Sequence, residues 1–260
     1  MVHRILIVTA VAAEADSVTA GLASATPEHA PERVALPGGF ALRRHADGDR
    51  ARVDVLVGGV GPAAAAAATG TALAYASLTG AEHGTEHGRR PYDLVVSAGI
   101  AGGFQPSAPP GSLVVSSAIV AADLGAQTPD GYLAVEELGF GRSVHPVPGS
   151  LTGRFAAALA AGGPPCAVAP VLTVSTVTGS ARRAAELAER HPGAAAEAME
   201  GFGVAEAAAA YGVPVVELRA VSNAVGPRDR AAWRVGDALD ALRHAVLLLG
   251  RTVFVEAPCT

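Results

Sequence analysis

Between Ala196 and Trp233 the chain reads AEAMEGFGVAEAAAAYGVPVVELRAVSNAVGPRDRAAW, and this stretch sets ionisable side chains where a packed core would exclude them. The spacing predicts a buried helix from about Phe202 to Tyr211, a break at Gly212-Val213-Pro214, and an apolar strand from Val215 to Val221. Glu217 and Arg219 alternate with Val216, Leu218 and Ala220 along that strand, and Ser222-Asn223 follows at its carboxyl end. Ligands of open α/β sheets bind at the carboxyl ends of strands. Each polar residue alone has a plain structural explanation. Glu200 suits the first turn of a helix through the helix dipole, Glu217 and Arg219 suit an ion pair, and Ser222-Asn223 suits a turn. Together they fit a pocket better.

The rest of the chain repeats the same unit of short apolar strand, turn and helix. Arg4 to Thr9 is an apolar strand, and Ala10 to Leu22 follows as turn and helix with Glu14 near its start. Val34 to Arg44 and Arg52 to Val60 read as two strands, an antiparallel pair around His45-Ala-Asp-Gly-Asp. Gly58-Gly-Val-Gly-Pro then leads into a helix over Ala63–Leu78, with Pro62 suited to its first position. Such a turn can hold an anion, but close strand-to-helix packing explains it equally well. It also lacks the G-x-G-x-x-G spacing of a dinucleotide site.

Strands are expected over Tyr92–Ser97, Gly111–Ala122 and Ala167–Val174, with helices over Gly149–Ala161 and Ala181–His191, the latter capped by Ser180. Asp123 to His145 reads as a long irregular excursion, and Arg230 to Leu249 as a closing amphipathic helix. With no linker or internal repeat, the 260 residues are expected to form a single α/β domain of three layers, a central mixed twisted sheet flanked by helices.

Charge and residue patterning disfavour several functions. The chain carries a net charge of -5 and no Lys, which argues against a general binder of nucleic acid or of a membrane surface. Gly58, Gly59 and Gly61 divide the apolar stretch from Val55 to Leu78, so a membrane span is not expected. The amino terminus reads as a first strand rather than a signal peptide, so a cytoplasmic location is expected. Cys166 and Cys259 have no metal-like spacing. His83 and His87 stand four apart in a glycine-rich surface loop, where that spacing has no helical meaning. Neither metal nor organic cofactor is expected.

Met199-Glu200 ahead of a helix, then Val213-Pro214, then Arg219-Ala-Val-Ser-Asn223, resembles the nucleoside phosphorylase and nucleosidase superfamily. The order matches its methylthioadenosine/adenosylhomocysteine nucleosidase branch, which has Asp where this chain has Asn223. The longer ending Ser222-Asn-Ala-Val-Gly-Pro-Arg-Asp-Arg-x-x-Trp233 is similar to its futalosine hydrolase branch, which serves menaquinone biosynthesis. The resemblance covers nearly the whole chain.

The resemblance implies a nucleoside phosphorylase-like fold and a site for a small purine nucleoside. It gives Glu14 the activation of water, helped by Arg219, and gives Glu200 the ribose hydroxyls, with Met199 packed against the sugar. It sets Ala98, Gly99 and Gly103 in the pocket wall and Thr176, Thr178 and Gly179 against the purine. Asn223 would address the base, and because an amide delivers no net proton it suits a 6-oxopurine better than a 6-aminopurine. Asp229 is a further candidate catalytic group, although Arg228 and Arg230 beside it offer a simple ion pair. Either arginine is instead suited to the substrate's carboxylate. Phe140 and Arg142 are candidates for the ligand's distal end. No Arg occurs between Arg4 and Arg33, so the first loop lacks a cation for phosphate, and hydrolysis is favoured over phosphorolysis. The alternatives are an adenine-nucleoside nucleosidase and a non-catalytic nucleoside-binding module. Relatives act as homo-oligomers, so the same is expected here.

Overall fold

A computed structural model describes residues 2–26, 30–48, 50–82 and 90–256, with 80–82 described by their backbone alone. In chain order the elements are β1 (His3–Thr9), α1 (Ala12–Ala25), β2 (Glu32–Ala35), β3 (Ala41–Asp47), β4 (Ala51–Val57), α2 (Pro62–Glu82) and β5 (Leu94–Gly103). There follow β6 (Leu113–Ala121), β7 (Gly125–Thr128), β8 (Gly131–Ala134), β9 (Val144–Pro146), α3 (Gly149–Ala160) and β10 (Cys166–Thr173). The chain ends with α4 (Ala181–Arg190), β11 (Ala196–Ala198), α5 (Gly201–Ala210), β12 (Val215–Ala224) and α6 (Val235–Arg251).

Among the described residues ten strands share one sheet, in the order β11-β10-β6-β12-β5-β1-β4-β3-β2 with β9 on β6. The central strands β4, β1, β5 and β12 run parallel, whereas β6 lies antiparallel to β12. That parallel centre accounts for the unbroken apolar runs: Ile5, Leu6, Ile7 and Val8 are all buried, because helices cover both faces. Helices α1 and α6 pack together over one part of the sheet, and α2 and α5 pack together over another. Glycines permit both approaches. A Cβ on Gly21 would overlap the backbone oxygen of Arg243, and one on Gly203 would overlap that of Pro62. The second contact matters for function, since it draws the start of α2 onto the start of α5.

The sheet also closes on itself. Short β11 pairs in parallel with β10 and antiparallel with β5, so β5, β12, β6, β10 and β11 form a ring. The expected mixed sheet and helical layers are present, and the ring is an addition to them.

Local expectations fail in several places. The stretch from Val34 to Arg44 is two strands, because Pro37-Gly38-Gly39 forms a tight turn with φ of 75° at Gly38 and 82° at Gly39. His45 accordingly lies buried on β3 rather than in a turn. Strands β5 and β12 continue through Ala98–Gly103 and Ser222–Ala224, expected as post-strand loops. The excursion after Asp123 contains the β7–β8 hairpin and β9. Helix α2 extends to Glu82, while His83, His87 and Cys259 lie outside the described residues. No described helix is long and apolar enough to cross a membrane.

Candidate active site

Glu14 is the third residue of α1, and its side chain turns back onto the strand it follows. Its Oε2 accepts hydrogen bonds from the backbone N–H of Ala10 (2.9 Å) and Val11 (3.2 Å). Its Oε1 accepts from Ile100 N–H on β5 (2.9 Å), which ties the helix start to the sheet. Three backbone donors therefore hold a carboxylate that is only 3% exposed. Gly99 beneath it admits no side chain: a Cβ there would stand 2.5 Å from Glu14 Oε1 and 2.7 Å from Arg219 Nη1. Both charged groups thus border one spot above Gly99.

Arg219 reaches that spot from β12 and is itself buried. Its Nε donates to Glu217 Oε1 (2.7 Å), and its Nη2 donates to Glu200 Oε2 (3.2 Å) and Ser97 Oγ (3.2 Å). Burial alone would lower its pKa, but Glu217, Glu200 and Glu14 outweigh burial and raise it, so the guanidinium stays charged. Glu217 is pushed up by complete burial, against the pull of Arg219. Its Oε2 has no hydrogen-bond partner among the described residues and lies in the space that Gly201 leaves open.

Glu200 stands at the N-cap of α5, and its Oε1 accepts from Gly61 N–H (3.3 Å). Gly61 has φ of 93°, a conformation that glycine takes without strain, which explains its place in Gly58-Gly-Val-Gly-Pro. The turn gives its amide to a site carboxylate, and the Pro62–Gly203 approach sets the geometry. Asn223 Oδ1 accepts from Ser222 Oγ (2.8 Å), and its Nδ2 donates to Ala224 O (2.9 Å).

Above these groups opens a cleft of about 260 Å³. Glu14, Met199, Glu200, Thr178 and Asn223 line it, with Arg219 behind Glu14 and Glu200 and Gly99 beneath. Other expected wall residues are elsewhere. Ala98 lies two residues before Ile100 on β5, buried in the main core below the cleft, and Gly103 is pressed against the backbone of Ala108. Ile100, Ala101 and Gly102 form that wall instead. Thr176 is exposed and outside the lining, and Gly179 lies near the Arg228 side chain, 3.6 Å from where its Cβ would stand.

Asp229 stands apart from the catalytic cluster. It is exposed, outside the cleft lining, and caps the short helical turn Arg230–Ala232 by accepting from Ala231 N–H (3.1 Å). Arg228 and Arg230 lie over Trp233 rather than pairing with it, at 5.4 and 6.0 Å from the ring centroid. Arg142 pairs with Glu206 on α5 (3.0 Å), and Phe140 is 80% exposed, so neither faces the cleft.

Two more side chains of the cleft can meet a ligand. Trp233 lines the rim; it closes the Ser222–Trp233 stretch that carries the resemblance, where no role falls to it. Glu197 is buried on β11, where its Oε1 accepts from Thr178 N–H (2.8 Å) and its Oε2 from Thr178 Oγ1 (2.5 Å). Burial raises its pKa, partly offset by those two bonds. A second Glu in an Ala-rich run was its only mark in the sequence.

A sequence model of the phosphorylase superfamily matches residues 4–253. The futalosine hydrolase of Streptomyces coelicolor is 60% identical over 243 residues, covering 94% of this chain and 93% of that protein. The futalosine hydrolase of Acidothermus cellulolyticus is 45% identical over 245 residues, covering 94% and 89%. Among solved structures, the futalosine hydrolase of Helicobacter pylori superposes with a TM-score of 0.75 at 18% identity, over 97% of this chain and 98% of that one. These matches show that the chain belongs to the phosphorylase superfamily and, within it, to the family of these futalosine hydrolases.

Proposed function

We propose that this chain, acting as a single domain, hydrolyses the N-glycosidic bond of futalosine and releases hypoxanthine and dehypoxanthinyl futalosine. The observation that carries the proposal is Glu14, fixed by three backbone N–H groups at the cleft floor beside Arg219 and within the same cluster as Glu200. Glycosidic cleavage builds positive charge on the ribose and negative charge on the departing base. Glu14 Oε1 accepts one protein hydrogen bond and keeps a lone pair for a water, whose proton it takes as the water attacks the anomeric carbon. Arg219 Nη1, bordering the same spot, orients that water. Both Glu200 oxygens retain acceptor capacity for the ribose hydroxyls, and Met199 packs beside the sugar.

Water rather than phosphate fits as nucleophile. The described cleft lining holds three carboxylates, Glu14, Glu197 and Glu200, and the cation that adjoins it, Arg219, is already paired with Glu200 and Glu217. A phosphate dianion there would face like charge, while a developing oxocarbenium ion would be stabilised. Asn223 meets the purine with an amide, which donates to a 6-oxo group. Arg228, stacked at the rim on Trp233, is suited to the substrate's distal carboxylate. The same proposal includes a cytoplasmic location and a homo-oligomer, the latter supported by the exposed apolar side chains Leu124, Leu133 and Phe140 of the excursion after Asp123.

The test is a comparison of kcat/KM for futalosine, inosine and methylthioadenosine, each without phosphate. Hypoxanthine release fastest from futalosine is expected. Adenine release from methylthioadenosine at an equal rate would overturn the substrate assignment, and binding of all three without turnover would mark a nucleoside-binding module.

A further inference from the structure

Gly102 on β5 is the register partner of two cleft residues at once, Glu197 on antiparallel β11 and Asn223 on parallel β12. Neighbouring strands stand about 4.8 Å apart, so the two Cα atoms flank Gly102 at a span on the order of 10 Å. Gly102 adds no side chain to the floor between them, where a Cβ would meet Val225 at 3.0 Å and Asn223 Nδ2 at 3.4 Å. A flat base seated on Gly102 therefore has the Asn223 amide at one edge and the Glu197 carboxyl at the other.

The carboxyl is built to accept. Thr178 uses both its N–H and its hydroxyl on Glu197, one bond to each oxygen, which fixes the plane of the group and leaves a lone pair on each. The Thr178 N–H is consequently spent and cannot donate to a base. A 6-oxopurine carries a hydrogen on N1 beside its oxygen, whereas a 6-aminopurine carries a bare N1 lone pair.

Resting on the nucleosidase function proposed above, we propose that Glu197 is a specificity-determining residue that accepts the N1–H of a 6-oxopurine and turns away 6-aminopurines. The ionised form is the one that does this. Burial opposes it, and so does Asp123 near β7; the two Thr178 bonds and Arg183 on α4 favour it. A site whose buried acceptor is left facing a lone pair rejects the wrong ligand strongly.

Calorimetric binding of free hypoxanthine and free adenine to the full-length protein tests the assignment without requiring turnover. Wild type is expected to prefer hypoxanthine, and Glu197→Gln, whose amide presents a donor to the cleft, is expected to lose about 10- to 100-fold of that preference. A preference in Glu197→Gln within about twofold of wild type overturns the proposal, as does a wild type that binds the two bases equally. If Glu197→Gln does not fold, Thr178→Val decides. Losing the hydroxyl bond should move the acid limb of hypoxanthine binding to higher pH, and an unmoved limb overturns the proposal. Failure of wild type to cleave futalosine would instead count against the function, since the base-binding ratio is read independently.

Discussion

Replacing Glu14 by Gln removes the proposed base and also sets a donor into a ring of donors. Oε2 accepts from Ala10 and Val11 and Oε1 from Ile100, so either placement of the amide NH2 turns it against at least one backbone N–H. Orientation with NH2 toward Ile100 preserves two bonds and orphans one, which costs about 1–3 kcal/mol in a buried site. Arg219 simultaneously loses one of three carboxylates that raise its pKa. A positioned general base contributes roughly 100- to 10,000-fold, so kcat on futalosine should fall by about that factor. Hypoxanthine release followed by chromatography, alongside a thermal melt, separates the two effects. A folded Glu14→Gln enzyme whose kcat stays within about tenfold of wild type would refute the assignment of Glu14 as the base.

Gly99→Ala should cut kcat sharply with a modest loss of stability, about 1–3 kcal/mol, because its Cβ would stand 2.5 Å from Glu14 Oε1 and 2.7 Å from Arg219 Nη1. Steady-state kinetics and a melt check it. Glu217 has a raised folded pKa, so its stabilising contribution is complete below the unfolded value and is lost as pH rises through the folded one. The Tm of Glu217→Gln relative to wild type should therefore climb from acid to neutral pH, and a flat difference would contradict burial as the dominant influence. Arg228→Ala should raise KM for futalosine while leaving KM for inosine, which has no distal carboxylate, nearly unchanged.

Legibility in the sequence followed how local the determining physics was. Ile5–Val8 declared a doubly covered strand because burial on both faces needs nothing beyond the run itself. Met199, Glu200, Arg219 and Asn223 were marked by ordered spacing, and they come to the same cleft and its floor. Residues 34–44 misled because hydrophobicity outweighed the Pro37-Gly38-Gly39 turn signal. Short β11 has three residues and no periodicity of its own; it exists because β5 and β10 present edges to it. Glu197 was hidden with it. Asp229 looked catalytic from its place near Asn223 in sequence, yet Gly226-Pro227 carries the chain away from the strand, and the carboxylate finds a local helix turn to cap.

Water as the nucleophile is tested most directly by the identity of the sugar released from futalosine by the wild-type protein, measured by mass spectrometry with and without inorganic phosphate. Dehypoxanthinyl futalosine with a free anomeric hydroxyl, formed at the same rate in both conditions, is the predicted product of water activated at Glu14. A sugar 1-phosphate that appears only when phosphate is present would contradict it.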